Sequence, residues 1–444
     1  MFVRSQIEYG LMPGASRSFW IAVLTIAASV GIVLSIDYFG LVVLAIPLAV
    51  GCALLLVKFP EVTFACLMTI GSFKGARELG AVPVDLTVLL LLVLIPAVAI
   101  GIWKKHMMPL PWEFSFYVPI VVMMLLSLTY TPHFELGLDK TARFLIINGL
   151  CIISPFVILT SPARINRFFL TLLVAGLAAS ATSLTSLGGY DRLTTPSGDT
   201  IQLGHDAALG IVIVWFGLLP GRNIVTRAFL YSLIGVMAIA MVGSGSRGPF
   251  LGFALGMSLS VYFWKKVGFG SGQLLFDSLV FGSLCILMLL SVGIPKASFN
   301  YLAQLGNVQS TDALMGGRAE LARIGWRLTL EHPLGGVGID GFPTRIAGES
   351  GWPHNTLLEI SSELGLVAAL SFCCLAITTL KATFKEFLHA NEELRPAANM
   401  VLGFMVIEMI TMLNTGNIND VRQLWTCISL PFVLRQLRVA EWCS

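Results

Sequence analysis

Charge is what this sequence has least of. Only 12% of its 444 residues are Asp, Glu, Lys or Arg, about half the share usual in a soluble domain. A water-soluble globule this poor in charge would lack the polar surface to cover its core, so that class is excluded. The formal net charge is only +3 and the basic residues are scattered, which excludes a nucleic-acid-binding patch. Cysteine pairs with metal or redox spacing are missing too. Cys52, Cys66, Cys151, Cys285, Cys373, Cys374 and Cys427 all lie inside apolar runs, and none forms a CxxC pair. They read as small apolar helix fillers, with no disulfide framework, metal site or cofactor implied. The Gly-rich run LGGVGIDGF at 334–342 lacks GK[ST] and is therefore a set of tight turns rather than a P-loop. No internal repeat and no separate soluble domain stand out, so residues 1–444 read as one integral membrane domain.

What is abundant is long apolar sequence. Hydrophobic residues make up 56% of the chain, and the mean hydropathy is +0.84. A membrane span needs about 20 apolar residues. Suitable runs lie near 19–36, 39–57, 84–103, 113–130, 141–160, 165–186, 203–220, 226–242, 248–264, 275–293, 356–380, 397–414 and 420–437. A shorter run at 61–73 spans only if tilted and is otherwise re-entrant. The expected fold is an all-α polytopic membrane protein with about 12–14 transmembrane helices. Arg4 and Arg17 precede the run from Phe19 without a convincing cleavage site, so that run is expected to be a retained first helix.

Basic residues give the expected orientation. Lys104 and Lys105, Arg164 and Arg167, Arg222 and Arg227, Lys265 and Lys266, the stretch from Lys381 to Arg395, and Arg435 with Arg438 fall in alternate loops. With 14 segments these loops share one side, the expected cytoplasmic one. The opposite loops hold Asp191 to Asp199, the turn at Ser246-Arg247, residues 294–353, and Asn414 to Asp420. The stretch 294–353 is the longest hydrophilic segment and is not low-complexity, which favours a functional loop. A helix is expected from Gly316 to Glu331.

Several residues on that outward side could carry chemistry. Pro353 suits the first position of a helix, which places His354 in the first turn. There the positive end of the helix dipole disfavours imidazolium, leaving a neutral imidazole for general-base work. The plainer reading is an interfacial histidine capping a helix. Asn355, Glu359, Ser362 and Glu363 follow at i, i+4, i+7 and i+8, hence on one face. Carboxylates in a span are costly unless they face a cavity or a partner. The alternatives are a polar cavity and an interhelical hydrogen-bond network. Arg247 sits in GSGSRGPF, 243–250, where small residues permit close approach to a ligand and the guanidinium fork suits phosphate oxygens. Snorkelling to headgroups is the plainer alternative. Arg318 shares a face of its helix with Ala322, Gly325 and Thr329, which leaves room for a large anion, or else it is simply exposed. Arg192, in DRLTTPSGDT, is a weaker anion-site candidate because Asp191 and Asp199 can neutralise it. Glu408, buried in a late span, has no assigned role.

Together these residues resemble a known family. The multi-span chain, SRG at 246–248, the long loop with Arg318 and PLGGVGIDGF at 333–342, and HNTLLEISSELG at 354–365 are similar to the O-antigen ligase and O-antigen polymerase superfamily of bacterial envelope glycosyltransferases. The likeness covers roughly residues 190–380. In that family a second glycine often follows three residues after the first; here Gly365 is followed by Ala368. The resemblance implies a GT-C-type fold with one long periplasmic loop, in the bacterial inner membrane. It implies an undecaprenyl-diphosphate-linked glycan as donor and, for a ligase, lipid A-core oligosaccharide as acceptor, with no nucleotide sugar and no metal. It implies Arg247 and Arg318 on the diphosphate and His354 as the base of an inverting displacement. A polymerase or a protein O-oligosaccharyltransferase would use the same donor. A lipid-linked oligosaccharide flippase is the alternative of another class. It would spread charged residues through the membrane depth, whereas here they gather at one face.

Overall fold

The computed structural model describes residues 55–74, 85–186, 192–220, 222–266, 279–280, 282–283, 318–342, 352–414 and 417–443. Expectations for the run at 19–36, for most of 39–57 and of 275–293, for Asp191, and for 294–317 and 343–351 lie outside these residues. Among the described residues there is no β-strand. The helices are Pro60–Thr69 (α1), Leu86–Trp103 (α2), Tyr117–Ser127 (α3), Phe134–Ile158 (α4), Pro162–Ser183 (α5), Thr200–Leu218 (α6), Ile224–Ser244 (α7), Arg247–Lys266 (α8), Arg318–Glu331 (α9), Thr356–His389 (α10), Arg395–Asn414 (α11) and Arg422–Cys443 (α12). The π-helical segment Phe144–Asn148 interrupts α4, and the π-helical segment Ile213–Leu218 closes α6.

Among the described residues, 7 helices are long and apolar enough to cross a membrane: α2, α4, α5, α6, most of α7, α10 and α11. The protein is thus an all-α polytopic membrane protein. Helix α2 shows why lipid must surround it. Leu92, Ile95, Ile100 and Trp103 are exposed while Leu90, Leu94 and Val98 are buried, so the helix is apolar on both faces. Helix α1 has 10 residues, about 15 Å at 1.5 Å per residue against a hydrocarbon core of about 30 Å. The run at 61–73 therefore does not cross as one straight helix. Pro60 starts it, and the Arg167 guanidinium holds the buried Glu61 at 2.5 Å.

The helices alternate in direction, and the basic loops meet at one end of the bundle. There Met108 N–H donates to the Phe156 carbonyl and Gln436 Nε2 to the Pro109 carbonyl. Arg435 pairs with Glu113 at 2.9 Å and Arg438 with Glu386 at 2.8 Å. The buried carboxylates at this end thus take their countercharge from the flanking arginines.

At the opposite end two helix starts differ from the sequence expectation. Helix α4 begins at Phe134 rather than near residue 141. Its first turns are too polar to register as a span, but they are amphipathic and turn Lys140 inward. Helix α10 begins at Thr356, because Asn355 serves as its N-cap and accepts from Leu358 N–H at 3.0 Å. Asparagine is among the strongest N-caps, so Pro353 and His354 precede the helix. His354 takes a left-handed backbone, φ 51°.

Candidate functional site

The end of the bundle opposite the basic loops holds two polar clusters. The first is built on a break in α10. Gly365 has φ 84° and ψ 177° inside an otherwise continuous helix. The break releases the carbonyls of Ser362 and Glu363 and the N–H of Leu366. Residues 333–338 take all three. Val337 N–H donates to Ser362 O at 2.8 Å, Gly338 N–H to Glu363 O at 3.0 Å, and Leu366 N–H to Pro333 O at 2.7 Å. Backbone meets backbone so closely that a Cβ on Gly336 would lie 2.3 Å from the Glu363 carbonyl carbon. One on Gly365 would lie 2.3 Å from Leu334 O. Both residues have positive φ, so glycine is required twice over. The end of α3 clamps the other side of the run: Ser127 Oγ accepts from Ile339 N–H, Thr131 Oγ1 donates to Ile339 O, and Tyr130 OH donates to Gly335 O.

The polar face that the spacing places on α10 is present, and in the structure its occupant is Lys140. Lys140 Nζ lies 2.7 Å from Glu359 Oε1 and 2.8 Å from Glu363 Oε2. It is 3.9 Å from Asp340 Oδ1. All three members of the triad are buried, Lys140 at 8%, Glu359 at 1% and Glu363 at 2% exposure. Both carboxylates also accept backbone N–H groups: Ile418 on Glu359 Oε2 at 2.8 Å, and Asp340 at 3.0 Å on the Glu363 Oε2 that Lys140 also meets. Lys140 O in turn accepts from Asn419 Nδ2 at 3.0 Å. Asp420 belongs to the same 417–421 loop, and burial raises its carboxyl above the ordinary aspartate range despite the nearby Arg422.

Helix α9 packs on the start of α10 through its small residues. A Cβ on Gly325 would touch Pro353, Phe342 and Leu358, and Thr329 Oγ1 bonds Ser361 Oγ at 2.9 Å. The space beside Ala322, Gly325 and Thr329, expected to admit an anion, is filled in its lower part by α10. Arg318 is the first residue of α9, on the same face and beyond the packed stretch; its side chain lies outside the described ones.

The second cluster surrounds the turn between α7 and α8. Gly245 closes α7 with φ 63°, and Arg247 is the first residue of α8. The positive end of the α8 dipole is therefore at this turn. Arg192 is brought to it: Nε donates to Ser244 O at 2.6 Å and Nη2 to Ser246 Oγ at 3.1 Å. Leu193 N–H donates to Gly243 O at 2.9 Å, and Ser246 Oγ to Thr200 O at 2.9 Å. Asp199, considered as a neutraliser of Arg192, instead caps α6 by accepting from Ile201 and Gln202 N–H.

Just below this turn lies a buried polar network. His205 Nε2 is 2.5 Å from Glu408 Oε1, and its Nδ1 is 3.5 Å from Asp206 Oδ1. Asp206 also accepts from Gln202 Nε2 at 2.7 Å and from Ser72 Oγ. Glu408, left without a role, has its partner here. The signal was present as His205-Asp206, two polar residues inside an apolar run.

Helix α11 relates the two clusters. It runs antiparallel to α8, with Gly252 against Ile407 and Ile410, and Gly256 against Gly403 and Ile407. One further turn puts Arg247 at the level of the last residues of α11. On the other side, Asn355 Nδ2 donates to Leu413 O at 3.0 Å. His354, half-buried and with its ring 4.7 Å from that of Trp352, is next to that bond. The end of α11 thus lies level with the turn bearing Arg247 and is bonded to the residue that follows His354.

Residues 232–373 match the sequence model of the O-antigen ligase family. That stretch holds α8, Arg247, Arg318, the 333–342 run and His354. No curated protein matches the chain.

Proposed function

From a chain whose residues 232–373 match the sequence model of the O-antigen ligase family, we infer a glycosyltransferase that moves a glycan from undecaprenyl diphosphate to lipid A-core oligosaccharide. Its setting is the bacterial inner membrane, with a GT-C-type fold and the chemistry at the periplasmic face. The observation that supports this reading is that the turn joined by Arg192 and followed by Arg247, and the turn that holds His354, both lie at the end of the bundle opposite the basic loops. Loops rich in Lys and Arg stay cytoplasmic, so the site end faces outward, where the donor is a lipid-linked rather than a nucleotide-linked glycan.

Arg247 and Arg318 bind the diphosphate and stabilise the charge that develops on it as it leaves. Arg192, fixed to the Ser244–Ser246 backbone turn, adds positive charge beside Arg247. His354 accepts the proton of the acceptor hydroxyl while that oxygen attacks the anomeric carbon. The bond from the anomeric carbon to the phosphate oxygen breaks, and undecaprenyl diphosphate leaves with the electron pair, inverting the centre. Asn355 sets the backbone that presents His354. Glu359 and Glu363 shape the polar face beneath it from their places on Lys140.

The test offers purified protein an undecaprenyl-diphosphate glycan with three acceptors in parallel: lipid A-core, a second donor molecule and a pilin-like protein. Product on lipid A-core supports the ligase reading. Product only on the second donor or only on the protein replaces it with polymerase or protein O-oligosaccharyltransferase. Movement of donor across a vesicle membrane without any product replaces it with a flippase.

A further inference from the structure

Lys140 joins more of the site end than its sequence position suggests. It stands in the first turns of α4, 223 residues from Glu363, yet three segments meet on it. Glu359 and Glu363 bring α10. Asp340, held by its N–H on Glu363 Oε2, brings the end of the 333–342 run. Ile418 on Glu359 Oε2 and Asn419 on the Lys140 carbonyl bring the loop between α11 and α12. Each of these segments carries or adjoins a residue of the proposed site. The 333–342 run follows the helix that begins with Arg318, α10 begins just after His354, and the 417–421 loop follows the helix end that Asn355 grips.

The charge count makes this joint depend on the amine. Two carboxylates of at most 2% exposure face one ammonium, with a third carboxylate 3.9 Å away. Without Lys140 the two glutamates would repel one another across a single turn of α10, in a setting where an unpaired buried charge is costly. The turn they occupy ends at the Gly365 break, where the released carbonyls hold the 333–338 backbone.

We propose that Lys140 is a positioning residue for glycan transfer: by pairing with Glu359 and Glu363 it locks the 333–342 run and the 417–421 loop onto α10, and so fixes His354 and Asn355 relative to the end of α11. This rests on the glycosyltransferase reading for its kinetic consequence, but not for its structural one.

The experiment uses the full-length protein in lipid nanodiscs and reads two quantities. The first is kcat and donor KM in the transfer assay. The second is the rate of chymotrypsin cleavage after Leu334, which needs no activity. For Lys140→Met the expected result is kcat lowered about tenfold or more with donor KM within about twofold, since a displaced base costs transition-state rather than ground-state binding. Cleavage should accelerate about tenfold in parallel as the run detaches. Lys140→Arg should keep most of both properties. The double variant Lys140→Met with Glu363→Gln should recover part of each, because it removes one of the stranded charges. That recovery also separates a specific role from general misfolding. A Lys140→Met protein with wild-type kcat overturns the proposal, whether or not the run loosens. So does one whose kcat falls while the run stays protected, or whose defect the double variant and Lys140→Arg do not relieve. If the wild-type protein itself transfers nothing, the functional reading fails on that arm, and the cleavage rates alone judge the lock.

Discussion

Asn355 holds the carbonyl of Leu413 at 3.0 Å while its own side-chain oxygen caps α10. One side chain therefore ties the start of α10, and the His354 just before it, to the end of α11. The two bonds can be separated. Asn355→Asp keeps the acceptor that caps the helix and loses the donor to Leu413; Asn355→Ala loses both. Loss of an N-cap costs about 1 kcal/mol. The expected outcome is a lower melting temperature for the alanine variant only, and a fall in kcat for both. Equal melting temperatures for the two variants would contradict the capping role.

Arg192 is spent on a backbone turn as well as being charged. Arg192→Lys retains the charge but cannot reproduce the fork that reaches Ser244 O and Ser246 Oγ together. The expected effect is a donor KM raised about tenfold in Arg192→Ala and partly raised in Arg192→Lys, as for loss of a phosphate contact worth about 1.4 kcal/mol. Initial rates at varied donor concentration check this.

The interlock between the 333–338 backbone and the break in α10 predicts an ordering among glycine-to-alanine variants. Gly198 has φ 90° and nothing within 4 Å of an added Cβ, so Gly198→Ala should cost only the backbone strain, about 1 kcal/mol. Gly336→Ala and Gly365→Ala add a clash at 2.3 Å with backbone atoms and should cost more than about 2 kcal/mol each. Thermal unfolding in detergent should rank them in that order. A Gly365→Ala protein as stable as Gly198→Ala would mean that the contact does not form.

His205 and Glu408 make a buried pair below the Arg247 turn. Removing one partner from such a pair typically costs about 3–5 kcal/mol, while replacing both with apolar residues of similar size is often close to neutral. His205→Leu and Glu408→Leu should each lower the melting temperature strongly. The double variant should stand above either single one. Additive losses would contradict direct pairing.

How much of this was legible in the sequence depended on the range of the signal. Seven of the expected spans and the one-sided basic loops could be read because composition and loop charge are local properties, whereas the runs at 113–130, 248–264 and 420–437 form helices that are not among the seven. The Arg318 helix was legible and ends at Glu331 as expected, and the turn-rich nature of 334–342 followed from its glycines. The break at Gly365 was not legible: a glycine in an apolar run looks the same whether it packs or bends, and only the facing backbone of 333–338 decides. Lys140 was missed because the first turns of α4 are too polar to count as membrane sequence, and its glutamate partners lie far along the chain. Asn355 outranked Pro353 as the start of α10 because a side-chain cap satisfies a helix N–H, whereas proline only tolerates the position. The Glu359 and Glu363 face was read correctly as a face; its occupant lay beyond any spacing argument.

His354 is the proposed base of a glycan transfer at this end of the bundle. Its most direct test is single-turnover transfer from an undecaprenyl-diphosphate glycan to lipid A-core, comparing the wild-type protein with His354→Ala at saturating donor. General-base catalysis contributes about 10²- to 10⁴-fold, so the account predicts a rate loss in that range with donor binding unchanged. A His354→Ala protein that transfers glycan at the wild-type rate would contradict it.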